Sequence, residues 1–195
     1  MTYSQAFIDA FNHVMLYEVG PWWNPADAGV IAGTCDTQAQ RRMVGLTNTP
    51  GDRGGLTKYG IAITANPGVD VQNLDLAGAQ EIYYKNYWLA GKCDQLTAEP
   101  IAVIAFDICV NNGVGRSAKM LQQAVGVSAD GQIGPNTLAA VNGADVAGLI
   151  RKLNDLRVAR YNQIVQNDPT QQKFINGWMR RVAEVTQYAL SLLHS

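Results

Sequence analysis

Two carboxylic residues stand in surroundings different enough to carry opposite halves of an acid-base reaction. Glu18 follows the apolar run Phe7, Phe11, Val14 and Met15 and precedes Gly20-Pro21-Trp22-Trp23, neighbours that withdraw water from a carboxyl and favour its neutral form. Asp52 lies in Pro50-Gly51-Asp52-Arg53-Gly54-Gly55, an open polar turn that favours an ionised carboxylate. Hydrolysis of a glycosidic bond needs one acid to protonate the leaving oxygen and usually a second carboxylate to place water or steady the oxocarbenium-like transition state. Spacing alone leaves a blander pair of roles open, a surface glutamate at a helix end and an aspartate that forms a turn.

The elements that must position these groups are helical. Thr2 and Ser4 can cap a first helix, apolar residues at helical spacing continue it and Gly20-Pro21 ends it, which puts Glu18 at its C-terminal end. Residues 21–45 show no steady period and read as a long inserted loop with at most one short helix. The glycines and proline of 48–61 predict tight turns, as in a small hairpin or looped arm beside a cleft. Leu74-Asp75 opens a helix that runs to Trp88, and Pro100 begins one with Ile101, Ile104, Ala105 and Ile108 on an apolar face. A shorter helix from about Gly115 stops at Gly126, Asp130-Gly131 turns the chain, and Gly134-Pro135 starts another helix. Two long helices close the chain, from Asp145 to about Val165 and from Pro169 to about Leu193, the last with Phe174, Trp178, Val182 and Val185 on one stripe.

The fold class is therefore mainly α with one small irregular or β-like arm. No charged or Ser/Gly-rich linker interrupts residues 1–195, so we expect a single domain. Within it, a catalytic region would occupy 1–96 with its insertion at 21–45, and a second helical region would occupy 97–195.

A formal charge of -1 over 195 residues argues against a nucleic-acid partner, because neutralising phosphates takes a surplus of Lys and Arg. The basic residues between Arg116 and Arg181 suit solvated helix faces or a mildly anionic surface. Cys35, Cys93 and Cys109 are too few for a disulfide scaffold and allow at most one bridge. His13 and His194 are the only histidines, so no metal and no cofactor is expected, and a cysteine peptidase built on Cys35 lacks a supporting histidine motif. The first sixteen residues lack a basic start and a cleavage site, and no stretch is long and apolar enough for a bilayer; synthesis in a cytoplasm without a signal peptide is the expectation, and no stable membrane insertion.

A longer pattern joins the two carboxylates. Glu18-Val19-Gly20 followed by Asn48-Thr49-Pro50-Gly51-Asp52-Arg53-Gly54-Gly55-Leu56-Thr57-Lys58-Tyr59-Gly60-Ile61 resembles the signature of glycoside hydrolase family 108. The second half is similar to the peptidoglycan-binding region that accompanies that family, through Val110-Asn111-Asn112-Gly113, Leu121-Gln122-Gln123-Ala124 and Asp130-Gly131-Gln132-Ile133-Gly134-Pro135-Asn136-Thr137-Leu138. The resemblance implies a lysozyme-like helical fold and a monomeric muramidase of the phage endolysin kind. Its substrate would be the glycan strand of peptidoglycan, cut between N-acetylmuramic acid and N-acetylglucosamine with Glu18 as the acid. Asp52 and Thr57 match in type and order the Asp and Thr that hold the attacking water in phage lysozymes of the T4 type. A bacteriolytic role after holin-type release, with the wall or periplasm as the place of action, follows from the same resemblance.

The chain departs from the pattern at Val19, which replaces a glycine, and in the insertion, which leaves Asp27 at the short separation from Glu18 that an uninserted relative would use. Asp52 is preferred because Gly54-Gly55, Thr57 and Gly60-Ile61 follow it and nothing similar follows Asp27. Trp22 and Trp23 either stack on sugar rings or anchor the insertion on the core. Tyr59 either binds substrate or packs inside. Asp107 and Asn111, one helical turn apart, either line the cleft or form a buried pair.

Overall fold

The structure, a computed structural model, describes residues 2–31, 35–48 and 54–193. The chain divides into two compact units, Met1–Tyr84 and Lys85–Ser195, with the division inside a continuous helical run. The chain is mainly α, as expected, with one very small sheet.

In the N-terminal unit, helix α1 (Gln5–Glu18) begins where the Ser4 hydroxyl accepts the Phe7 amide at 3.3 Å. Phe7, Ala10, Phe11, Val14 and Met15 bury its inner stripe, and Gly20 at φ +94° turns the chain away. The inserted segment holds two short helices rather than at most one: α2 (Pro25–Gly29), capped by Asn24, and α3 (Gln38–Met43), where Thr37 and Gln40 cap each other. Those caps are local side-chain devices, which is why they form without any apolar period. Strands β1 (Thr57–Lys58) and β2 (Ile61–Ala62) pair antiparallel, with Thr57 opposite Ala62 and Lys58 opposite Ile61, and Thr47 adds a bridge to Thr57. Helix α4 (Leu76–Tyr83) starts at Asp75, whose carboxylate accepts the Gly78 amide at 2.7 Å.

The C-terminal unit is built on helix α5 (Glu99–Asn112). Every residue from Pro100 to Cys109 is buried, so the single apolar face read from the sequence is only part of a helix surrounded on all sides. Helices α6 (Val114–Val125), α8 (Val146–Asn167) and α9 (Ile175–Ser191) pack against it, and α7 (Pro135–Asn142) packs against α6. The Ser117 hydroxyl donates to the Ala105 carbonyl at 2.9 Å and ties α6 to α5. Asn142 accepts the Thr97 amide and donates to the Gln95 carbonyl, tying the end of α7 to the approach to α5. All three cysteines are reduced and buried; Cys93 and Cys109 share a hydrogen bond in this unit, and Cys35 lies in the other.

Candidate active site

Glu18 is the last residue of α1, half-buried, and its carboxyl lies against the tip of the hairpin. The tip is Tyr59-Gly60, with φ of +53° and +75°, the left-handed pair that a two-residue hairpin requires. A Cβ on Gly60 would stand 2.8 Å from the Tyr83 hydroxyl, 2.9 Å from Glu18 Cβ and 3.0 Å from Glu18 Oε2, so only glycine admits this approach.

Tyr59 lacks that freedom, and left-handed backbone costs a side-chain-bearing residue about 1–2 kcal/mol. Three contacts over-determine it. Its amide donates to the Val44 carbonyl at 2.7 Å, its carbonyl accepts the Tyr83 hydroxyl at 2.9 Å, and its ring is fully buried. That ring meets Trp23 edge-on at 6.2 Å; Trp23 meets Phe11 at 6.0 Å and Phe11 meets Tyr83 at 5.4 Å, a chain of edge-to-face contacts joining α1, the insertion, the hairpin and α4. Burial, with Cys35 and Asp75 adding to it, pushes the Tyr59 phenol well above its ordinary range. Its hydroxyl has no partner among the described residues. The role of substrate ligand expected for Tyr59 is therefore corrected to packing, because the side chain does not reach solvent.

Thr57 sits on β1, half-buried, exchanging two 2.9 Å backbone hydrogen bonds with Thr47, and its hydroxyl donates to the Gly55 carbonyl at 3.3 Å. Asp52 lies outside the described residues. Asp27, the alternative second carboxylate, is exposed in the first turn of α2 and accepts the Asn24 side-chain amide at 2.8 Å. The two tryptophans of the insertion separate: Trp23 is buried, whereas Trp22 is 58% exposed with the Arg42 guanidinium 5.6 Å above its ring. Sequence reasoning passed over Lys58, which is completely buried and directs its ammonium to the Gln72 carbonyl at 3.5 Å. A lysine inside the Thr57-to-Gly60 run was the available signal, since a cation costs much to bury without partners.

Asp107 and Asn111 belong to the C-terminal unit, and the substrate-binding role expected for Asp107 is corrected to that of a buried structural group. Asp107 is fully buried and binds two cations, Arg157 Nη2 at Oδ2 and Arg181 Nε at Oδ1, the latter at 2.8 Å. Arg157 is itself fully buried and Arg181 nearly so, which removes both from the solvated helix faces. Asn111 donates to the Tyr161 hydroxyl at 2.8 Å, and Tyr161 donates in turn to Asn112. Both residues join α5 to its neighbours.

Residues 38–113 match the family model for glycosyl hydrolase 108, and residues 116–183 match that of a predicted peptidoglycan domain. A solved structure of Brucella abortus SagA is 29% identical, covers 95% of this chain and 94% of its own, and superposes with a TM-score of 0.70. Among curated proteins none matches the chain. The chain thus carries a region similar to glycosyl hydrolase 108, followed by one similar to a peptidoglycan domain.

Together the two matched regions make this chain a glycoside hydrolase directed at peptidoglycan. Its family match takes in the hairpin and α4 but begins after Glu18. The family boundary at 113–116 falls at the α5 to α6 turn, while contacts divide the chain at Tyr84. In the peptidoglycan-binding region, Gln122 organises the Asp130-Gly131 turn. Buried on α6, it donates to Asp130 at 2.7 Å and to the Gln132 carbonyl at 3.0 Å, and accepts the Gly131 amide at 2.9 Å. The Gln122 side chain and then the Gln132 amide hold the Asp130 carboxyl below its ordinary range. A cavity of about 530 Å³ lined by Gln122, Ser128, Asp130, Gln132, Asn136 and Thr137 opens beside this turn. Among the described residues no helix is long and apolar enough to cross a membrane.

Proposed function

We propose that this glycoside hydrolase is a muramidase that cleaves the β-1,4 bond between N-acetylmuramic acid and N-acetylglucosamine. Glu18 is the general acid, and Asp52 and Thr57 place the attacking water. The observation that supports this reading is the meeting of the half-buried Glu18 carboxyl with the tip of the hairpin that carries Thr57. Protonation of the leaving oxygen by Glu18, with water attacking from the opposite face, inverts the anomeric carbon. Trp22, exposed on the insertion, offers an aromatic face for a sugar ring. A monomeric endolysin, released through a holin-type lesion to lyse its host, is the setting we assign to this activity.

Mass spectrometry of digested muropeptides tests the bond. New reducing-end muramic acid is expected; a reducing glucosamine end would assign a glucosaminidase instead, and an anhydro-muramic end a lytic transglycosylase using Glu18 alone. Glu18→Gln should lower the clearing of purified peptidoglycan by about 100-fold or more while sedimentation with sacculi persists. Undiminished clearing by that variant would remove Glu18 from the chemistry, and a wild-type chain that sediments without cutting would be a binding protein only.

A further inference from the structure

Tyr83 reaches both the helix that carries Glu18 and the turn that lies against its carboxyl. It is buried near the end of α4, meets Phe11 of the glutamate-bearing helix edge-on at 5.4 Å, and donates its hydroxyl to the Tyr59 carbonyl at 2.9 Å. The same hydroxyl oxygen and Glu18 Oε2 lie 2.8 and 3.0 Å from the point where a Gly60 side chain would begin. The turn between them is left-handed at both residues, and only Gly60 adopts that backbone freely.

We propose that Tyr83 and Gly60 are positioning residues for the acid: the Tyr83 hydroxyl keeps the Tyr59-Gly60 turn closed, and the bare Gly60 backbone walls one side of the Glu18 carboxyl. This rests on the reading of Glu18 as the acid. A general acid works only when its proton is held within hydrogen-bond reach of the leaving oxygen. With the hydroxyl removed, the Tyr59 carbonyl loses its partner, the turn relaxes from its left-handed state, and the wall beside Oε2 moves. Adding a methyl at Gly60 acts from the other side, pressing on Tyr83 and Glu18 together. Both changes alter the acid's aim and leave the sugar-binding surface in place.

The test compares Tyr83→Phe and Gly60→Ala with Val185→Ala, a core truncation in the C-terminal unit. For Tyr83→Phe we expect kcat to fall on the order of 10- to 100-fold with KM and sacculus sedimentation unchanged, since misplacement by about 1 Å can cost that much. Gly60→Ala should lose more kcat, again with binding retained. Val185→Ala should lower the melting temperature at least as much while keeping kcat at a temperature where all variants are folded. A readout independent of turnover uses protein labelled with ¹³C at glutamate carboxyls. Glu18 is one of four glutamates, so its resonance is the one missing from Glu18→Gln. That resonance should move in Tyr83→Phe and the other three should not. A stationary Glu18 resonance, an unchanged kcat in Tyr83→Phe, or an equal loss of kcat in Val185→Ala would each overturn the proposal. A moved resonance with no effect of Glu18→Gln on clearing would instead indict the choice of acid.

Discussion

The two units hold charged and polar groups in different ways. In the C-terminal unit, long helices enclose Asp107 with Arg157 and Arg181, and Gln122 meets its neighbours with both ends of its amide. In the N-terminal unit, short elements hold a half-buried glutamate beside a left-handed tyrosine, and the Tyr59 hydroxyl and Trp23 Nε1 are buried without partners among the described residues. The first sets buried charges against one another, with Arg157 Nε and Nη1 still lacking partners among the described residues; the second places a left-handed tyrosine and unsatisfied neutral groups next to the candidate acid. Strained backbone and orphaned polar atoms persist where surrounding contacts over-determine them, and they concentrate where chemistry needs a fixed geometry.

The largest effect expected from this contrast is at Asp107. Asp107→Ala leaves two cations facing each other in the core and should cost about 3–5 kcal/mol of unfolding free energy in a urea titration, with specific activity of the folded fraction intact. A loss of activity at unchanged stability would return Asp107 to the substrate-binding set.

The adjacent tryptophans sharpen the comparison inside the N-terminal unit. Trp23→Ala removes a buried ring from the aromatic chain and should cost about 3–5 kcal/mol. Trp22→Ala should stay within about 0.5 kcal/mol of wild type, as substitutions at exposed positions do. If Trp22 stacks on sugar, its loss appears as weaker sedimentation with sacculi; equal destabilisation by the two variants would erase the distinction drawn here.

Tyr59→Phe deletes a buried hydroxyl that lacks a partner, so melting should show a change of no more than about 1 kcal/mol, on the stabilising side, with turnover retained. A marked loss of turnover would restore Tyr59 as a substrate ligand.

The smallest effect is at Asp130. Its carboxyl is held below the ordinary aspartate range in the folded chain by Gln122 and then by the Gln132 amide. The stabilisation it gives is therefore present above about pH 4, the ordinary aspartate value, and is lost as pH falls through the lower folded value. Asp130→Asn should flatten that part of the acid limb of a stability-pH curve; an identical limb would show that the turn does not depend on the charge.

Much of the architecture was legible along the chain because it depends on local rules. The start of α1 at Ser4, its end near Gly20, the initiation of α5 and α7 beside prolines and the turn at Asp130-Gly131 all follow from caps and backbone preferences of a few consecutive residues. The helices of the insertion were less legible, because five- and six-residue helices carry almost no period and start from local caps, Asn24 before Pro25 and Thr37 with Gln40.

By itself the sequence determined that the chain is mainly helical, that a glycine-rich arm follows a glutamate at the end of a first helix, and that the second half resembles a peptidoglycan-binding region. Tertiary structure alone decided which polar residues face inward. Asp107 and Asn111 share a helical stripe with either outcome available, and only the arrival of Arg157, Arg181 and Tyr161 from 50 or more residues away gives them their partners. The same holds for Tyr83, which looks like one tyrosine among several until folding brings it to Tyr59, 24 residues earlier, and to the Glu18 carboxyl. Local preference is written in neighbouring residues, whereas the desolvation of a side chain and the partners that offset it are set by contacts between segments that the chain order does not place together.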